Sequence, residues 1–183
     1  MPKVLVPIAE GFEELEAVTI IDILRRANIE VTVAGLKDGP ITGSRGTRLL
    51  PDIPLDSICD QTFDMIVLPG GMPGVRNLRE DARIEKLLQD FDRTGRYTAA
   101  ICAAPSILAS YGLLQGKQAT SNPKFRDQVA IPGVAYQEKA VVKDGKTITS
   151  RGPGTSIDFA LELVGELSGP ETRSEVEKSL IRA

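Results

Sequence analysis

The first thirty-four residues impose more on the fold than any later stretch, because they read as a β-α-β unit. Lys3 to Ile8 alternates and then saturates with apolar residues, Glu13 to Ala27 carries Leu15, Val18, Ile21 and Leu24 at helical spacing, and Ile29 to Ala34 returns to strand-like sequence. Short connections between apolar strands imply parallel pairing, with the crossover helix covering one sheet face in the right-handed sense. The rest of the chain extends this pattern. Phe63 to Leu68 is a strand ending in Pro69-Gly70-Gly71-Met72-Pro73-Gly74, and Asp81 to Thr94 is an amphipathic helix through Ile84, Leu87, Leu88 and Phe91. Tyr97 to Ile101 is a further strand, Pro105 to Leu114 a helix, and Ala140 to Thr149 a hairpin with an Asp144-Gly145 turn. Ile157 to Leu167 supplies another helix, and Pro170 to Ile181 a mixed-charge surface helix. The expected architecture is a doubly wound, mostly parallel α/β sandwich with helices on both faces, in one domain spanning 1–183.

The net charge of -3 offers no electrostatic reason to expect nucleic acid or an anionic membrane as partner. No apolar run approaches membrane-spanning length, and Met1-Pro2-Lys3-Val4-Leu5-Val6-Pro7-Ile8 runs into strand sequence without a basic-then-apolar leader, so the expected location is the cytoplasm. There are 2 cysteines, Cys59 and Cys102, no Cys-x-x-Cys pair and 0 histidines. That composition argues against a disulfide scaffold and against a structural metal. Cys59, in Leu55-Asp56-Ser57-Ile58-Cys59-Asp60, reads as a half-buried helix residue without a role.

Cys102 has the context that Cys59 lacks. In Tyr97-Thr98-Ala99-Ala100-Ile101-Cys102-Ala103-Ala104-Pro105 an apolar strand stops on a thiol flanked by small residues, and Pro105 suits the first turn of a following helix. A sharp strand-to-helix turn leaves little room for neighbouring side chains, so this is the sequence of an elbow that displays a nucleophile. The turn after the first strand, the Gly70-Gly71 turn and the elbow all fall beyond the carboxyl ends of parallel strands, where doubly wound sheets bind ligands. Backbone N–H groups of Gly71 and Ala103 are candidates to face an oxyanion, and the helix start is expected to lower the thiol pKa. Without histidine the proton partner must be a carboxyl group. Glu13, Glu14 and Glu16 open the first helix, where the dipole alone explains at least two of them, leaving one carboxyl to turn toward the elbow. Buried beside a thiolate, that carboxyl would have its pKa raised and hold a proton near neutral pH. Arg26, Arg45 and Arg151 each fit ordinary capping or solvated roles, with Arg151 the best placed for a site.

Taken together, Glu13-Glu14-Leu15-Glu16, Val67-Leu68-Pro69-Gly70-Gly71, Ala99 to Pro105 and Thr149-Ser150-Arg151-Gly152-Pro153-Gly154-Thr155-Ser156 resemble the ThiJ/PfpI superfamily, most closely its deglycase branch and bacterial chaperone-like members. The resemblance covers nearly the whole chain and implies a flavodoxin-like sandwich, a homodimer, Cys102 as reactive thiol, Glu16 as its protonated carboxyl partner, and Gly71 and Ala103 as backbone donors. It matches Arg26 and Arg45 to an anion-binding surface at the dimer-related site, and adds Gly70, Arg151 and Asn122 as possible substrate contacts. In two places the chain departs from the pattern: Asn122 stands where the deglycase branch has a histidine near the thiol, and Gly43 replaces a cysteine. The implied activity needs no metal or organic cofactor. Cys102 adds to methylglyoxal, glyoxal or their early adducts on side chains, and Glu16 shuttles the proton. The alternative is an oxidative-stress sensor or redox-regulated chaperone that uses the same thiol. Protease and amidotransferase chemistry is disfavoured because no histidine is present to protonate an amine leaving group.

Overall fold

The computed structural model describes residues 1–58 and 61–182, so Cys59 lies outside the described residues. The first unit forms as the pattern predicts: β1 (Lys3–Ile8), α1 (Glu14–Arg26) and β2 (Glu30–Gly35). α1 ends because Asn28 takes a left-handed φ of 56°, which lets Asn28 N–H reach Arg25 O and Ile29 N–H reach Leu24 O, closing the last turn and aiming the chain into β2. Then come β3 (Ile41–Thr42), β4 (Arg48–Leu49), β5 (Ile53–Pro54), β6 (Met65–Leu68), α2 (Gly74–Glu80), α3 (Ala82–Arg93), β7 (Tyr97–Ile101) and α4 (Pro105–Ser110). The chain continues through β8 (Gln118–Ala119), α5 (Arg126–Val129), β9 (Ala135–Tyr136), β10 (Val141–Asp144), β11 (Thr147–Ser150) and α6 (Ser156–Ser179).

The main sheet runs β10-β11-β7-β6-β1-β2-β5 and is parallel except for the β10–β11 hairpin. Alternation along each strand divides the core in two. Val4, Val6, Ile8, Met65, Val67, Ala99 and Ile101 face α1 and α6, whereas Leu5, Ile66, Leu68 and Ala100 face α2, α3 and α4. Strand order reverses between β1 and β6, because the chain leaves β1 for β2 on one side and later returns to fill β6 and β7 on the other. A crevice at that switch point lies beyond the carboxyl ends of β1, β6 and β7.

The structure corrects three details. The buried stripe of α1 is Glu16, Ala17, Ile20, Ile21, Ile23 and Leu24, while Leu15 and Val18 are 52% and 47% exposed. The helix is therefore rotated so that a carboxyl, not Leu15, begins the inward face. The helix after the elbow stops at Ser110 instead of Leu114, since the chain turns tightly at Gly112, which has φ 75°. In the hairpin Asp144 pairs with Thr147, so the two loop residues are Gly145-Lys146 and not Asp144-Gly145. The two C-terminal helical segments join as α6, bent where Gly169 leaves helical geometry before Pro170.

Phe159 of α6 is fully buried against the α1 side of the sheet. We expect Phe159→Ala to cost about 3–5 kcal/mol, the range for truncating a buried aromatic, read as a lower urea midpoint at unchanged slope.

Candidate active site

The elbow forms as the small residues require. Cys102 takes φ 64°, a left-handed conformation that is costly for a residue with a Cβ and is held only where its surroundings dictate it. Here they do. Cys102 N–H donates to Ser150 O (3.0 Å) and Asn122 N–H donates to Cys102 O (2.9 Å), so the end of β11 and the turn at Asn122 pin both backbone groups. Ala103 and Ala104 are buried beside it, leaving no space for larger side chains.

Glu16 reaches this elbow from the inward face of α1 and is fully buried. Its Oε2 accepts the Gly70 N–H at 2.7 Å. Oε1 is buried without a well-directed hydrogen bond among the described residues, yet the carboxyl and the Cys102 thiol lie close enough to act on each other both as hydrogen-bond partners and through charge. Gly70 is the residue that allows this approach. A Cβ there would lie 2.5 Å from Glu16 Oε2 and 2.6 Å from Cys102 Cβ. Glu13 caps α1 by accepting Glu16 N–H (2.8 Å), and its own N–H donates to Gly70 O (2.9 Å), tying the turn after β1 to the turn after β6. Glu14 holds the turn between β3 and β4 through Arg45 N–H (2.7 Å), Thr47 N–H (3.2 Å) and Ser44 Oγ–H (3.2 Å). Three adjacent carboxyls thus have three separate roles, and only Glu16 faces the thiol.

Burial pushes the Glu16 carboxyl up to about 7, against hydrogen bonds from Cys102 and Gly70 that favour its charged form. The thiol departs from the sequence expectation. Burial, then the Glu16 charge and hydrogen bond, push Cys102 up to about 12, outweighing the Ala103 N–H and Asn122. The helix start contributes little, because α4 is short and the N–H groups of Ala104, Ser106 and Ile107 are already taken by Ile101, Ala103 and Ala104 carbonyls. The two groups therefore share a single negative charge: while Glu16 holds it the thiol stays protonated, and a protonated Glu16 relieves the thiol of both the repulsion and the competing acceptor.

The other predicted site residues separate into two sets. Asn122 places Nδ2 3.6 Å from Cys102 Sγ, and the Gly71 N–H has no backbone acceptor among the described residues while its carbonyl accepts Val75 N–H (2.9 Å). Ala103 N–H is directed at the thiol itself. Arg151 is half-buried beside the site strand β11, with its Nε lacking a partner among the described residues. Arg26 is at the far end of α1, about 15 Å along the helix from Glu16 at 1.5 Å per residue, and pairs with Asp22 (2.7 Å). Arg45 is exposed on the β3–β4 turn. Sequence reasoning overlooked Gly152, where a Cβ would lie 4.0 Å from Cys102 Sγ and 3.5 Å from Asn122 Nδ2. The available signal was its position one residue past Arg151, at the carboxyl end of the strand beside β7.

Glu16 titrates at about 7 in the fold against an ordinary 4.5, so the native state holds this proton more tightly than the unfolded chain. The resulting stabilisation is complete below about pH 4.5 and is lost as pH rises through about 7, roughly 3 kcal/mol at full extent. Urea unfolding across this range is expected to show stability falling with pH, and a flatter profile in Glu16→Gln; equal slopes would contradict the assignment.

The chain is similar over nearly its whole length to known proteins. The model described as the DJ-1/PfpI family matches residues 2–166. The chain is 44% identical over 180 residues to Protein dj-1beta of Drosophila melanogaster, covering 98% of this chain and 96% of that one. Against the crystal structure of that fly protein the TM-score is 0.95, with 100% of this chain and 98% of that chain covered. It is 36% identical over 174 residues to Glutathione-independent glyoxalase DJR-1.2 of Caenorhabditis elegans, covering 95% and 92%. Against oxidized Toxoplasma gondii DJ-1 the TM-score is 0.95 at 39% identity, with both chains covered 100%.

Proposed function

The chain belongs to the DJ-1/PfpI family, and from that footing we propose that it is a cofactor-independent glyoxalase that also acts on early α-oxoaldehyde adducts of side chains. The observation carrying this reading is the buried Glu16 carboxyl, titrating at about 7, against a thiol at a strand end. A group half-protonated near neutrality both gives and takes a proton, which is what isomerising an α-oxoaldehyde requires. The worm relative named as a glutathione-independent glyoxalase supports the same chemistry.

The steps follow from the geometry. Cys102 passes its proton to the Glu16 carboxylate, and the resulting thiolate forms a bond to the aldehyde carbon. The carbonyl oxygen gains the electron pair, meets the Gly71 N–H, and receives the proton back from Glu16, giving a hemithioacetal. Glu16 then takes the hydrogen on that carbon as a proton, leaving an enediolate, and returns it to the neighbouring carbon while the hemithioacetal hydroxyl proton passes to the former carbonyl oxygen, so one carbon is oxidised as the other is reduced. The product is a thioester of a 2-hydroxy acid. Water cleaves it, releasing the acid and restoring the thiol, and no external oxidant enters. In an early adduct the aldehyde carbon is already bonded to a thiol, amine or guanidino group; that bond breaks as the adduct hydroxyl returns its proton to the side-chain group, and the aldehyde so freed enters the same steps.

A second reading, a sensor that records oxidation, draws on the same sulfur. Asn122 Nδ2, Ala103 N–H and a protonated Glu16 surround it with donors suited to a sulfinate. The solved structure of the Toxoplasma protein is of an oxidized form. Turnover separates the readings. Freshly reduced, chelator-treated protein is expected to convert methylglyoxal to lactate, Cys102→Ser to lose the activity, and Glu16→Gln to lose about 10²–10⁴-fold in kcat while its thiol still alkylates. Turnover by Cys102→Ser equal to the parent would overturn the enzyme reading, and sulfinate formation without turnover would favour the sensor.

The same proposal includes a homodimer. Leu15 and Val18 stand half-exposed on α1 and Leu50 is 71% exposed, an apolar surface that a second copy would cover. Sedimentation is expected to give twice the chain mass, and Val18→Glu to shift it toward the single chain; a monomeric parent would end this part of the reading.

A further inference from the structure

Asn122 is attached to the elbow twice. Its backbone N–H donates to the Cys102 carbonyl at 2.9 Å, and its Nδ2 lies 3.6 Å from Cys102 Sγ. The carboxamide orientation follows from its other end: Oδ1 accepts the Lys124 N–H at 3.0 Å and caps the turn Pro123–Phe125, so the NH₂ end is the one that faces sulfur. Gly152 bounds the pair on the third side, close enough that a Cβ would touch Nδ2.

We propose that Asn122 is a catalytic residue, a neutral and non-titrating hydrogen-bond donor that stabilises the charge on the Cys102 sulfur when the thiolate forms. Burial and the Glu16 carboxylate both oppose ionisation of this sulfur, and the donors set against them are the Ala103 N–H and Asn122 Nδ2. A carboxamide donates without carrying a proton that can leave near neutral pH. The proton between Glu16 and Cys102 is then the one that moves when the thiolate forms. A donor aimed at sulfur also strengthens as charge returns to it, so the same contact assists expulsion of Cys102 when the thioester is cleaved. The charged groups that bear on this position are Glu16 from α1, with Glu13 acting on Glu16, while Lys124 on the residue's own turn is exposed. The Gly70-Gly71 turn and the Ala103-Ala104 elbow bring none.

The inference rests on the proposed function only in taking Cys102 as the reactive group, and its test reads ionisation, not turnover. The experiment measures the rate of iodoacetamide alkylation against pH in a Cys59→Ser background, so that Cys102 alone reports. Asn122→Ser keeps a hydroxyl to cap the Lys124 N–H but cannot extend to the sulfur and adds no charge. Asn122→Asp keeps the cap and replaces the donor by a carboxylate. At a fixed pH of about 8 the alkylation rate is expected to fall about tenfold in Asn122→Ser, the equivalent of about one pH unit, and further in Asn122→Asp. An Asn122→Ser rate within about twofold of the parent, a small part of what a hydrogen bond to a charge supplies, overturns the proposal whether or not the aspartate variant changes. A second measurement needs no substitution at 122. The side-chain amide protons of Asn122 should exchange with solvent more slowly in the parent than in Cys102→Ala, which lacks the acceptor, and equal exchange overturns the proposal as well.

Discussion

One negative charge shared between two buried groups is the constraint around which this molecule is arranged. A carboxyl and a thiol placed together out of water cannot both ionise, so the pair holds its charge on sulfur or on oxygen, and the second proton stays. Everything adjacent serves one of those two states. Gly70 supplies a backbone donor to Glu16 Oε2, and Ala103 and Asn122 supply donors to the sulfur. The side chains that would separate the pair are missing, with glycine at 70 and 152 and alanine at 103 and 104. A titration near neutrality follows from burial, and no imidazole is needed to produce it.

The sheet delivers these groups without help from a long-range scaffold. Glu16 lies in the first turn of α1, eight residues past β1, Gly70 follows β6 by two residues, Cys102 follows β7 directly and Gly152 lies two residues past β11. Parallel strands end on one edge, so four segments distant in sequence meet there once the register is set. The Glu13 N–H on Gly70 O and the Asn122 N–H on Cys102 O then lock neighbouring turns together, which is how a left-handed cysteine is kept in place.

Much of this could be read from the residues. Strands buried on both faces leave continuous apolar runs, so β1, β2, β6 and β7 were visible, and the alanines around Cys102 marked the elbow. The rotation of α1 was not visible. Leu15 and Val18 compete with Ala17 and Ile20 for the inward face, and the winning arrangement buries a glutamate, against the rule that polar residues face water. Such a local violation is where function tends to be found. Two-residue strands such as β3, β4, β8 and β9 are too short to carry a period, and α2 follows its glycine-rich turn without a capping signal. The thiol's electrostatics depended on tertiary burial, and the approach of Asn122 to a sulfur 20 positions earlier depended on a connection that spacing does not encode.

The division of the core into two faces has a consequence for how this chain can vary in length. Residues two apart along a strand share a face, and the candidate site begins where the strands stop, so the strands act as rulers of about 3.3 Å per residue for the edge that carries it. Deleting one residue from β6 would exchange Val67 and Leu68 between the two cores and withdraw Gly70 from Glu16 by about that distance. Single-residue insertions and deletions in β1, β6, β7 and β11 are therefore active-site lesions, although they fall well inside the sheet. The opposite, amino-terminal edge and turns such as Gly145-Lys146 measure out no strand end of the site, so a change of length there leaves its spacing intact.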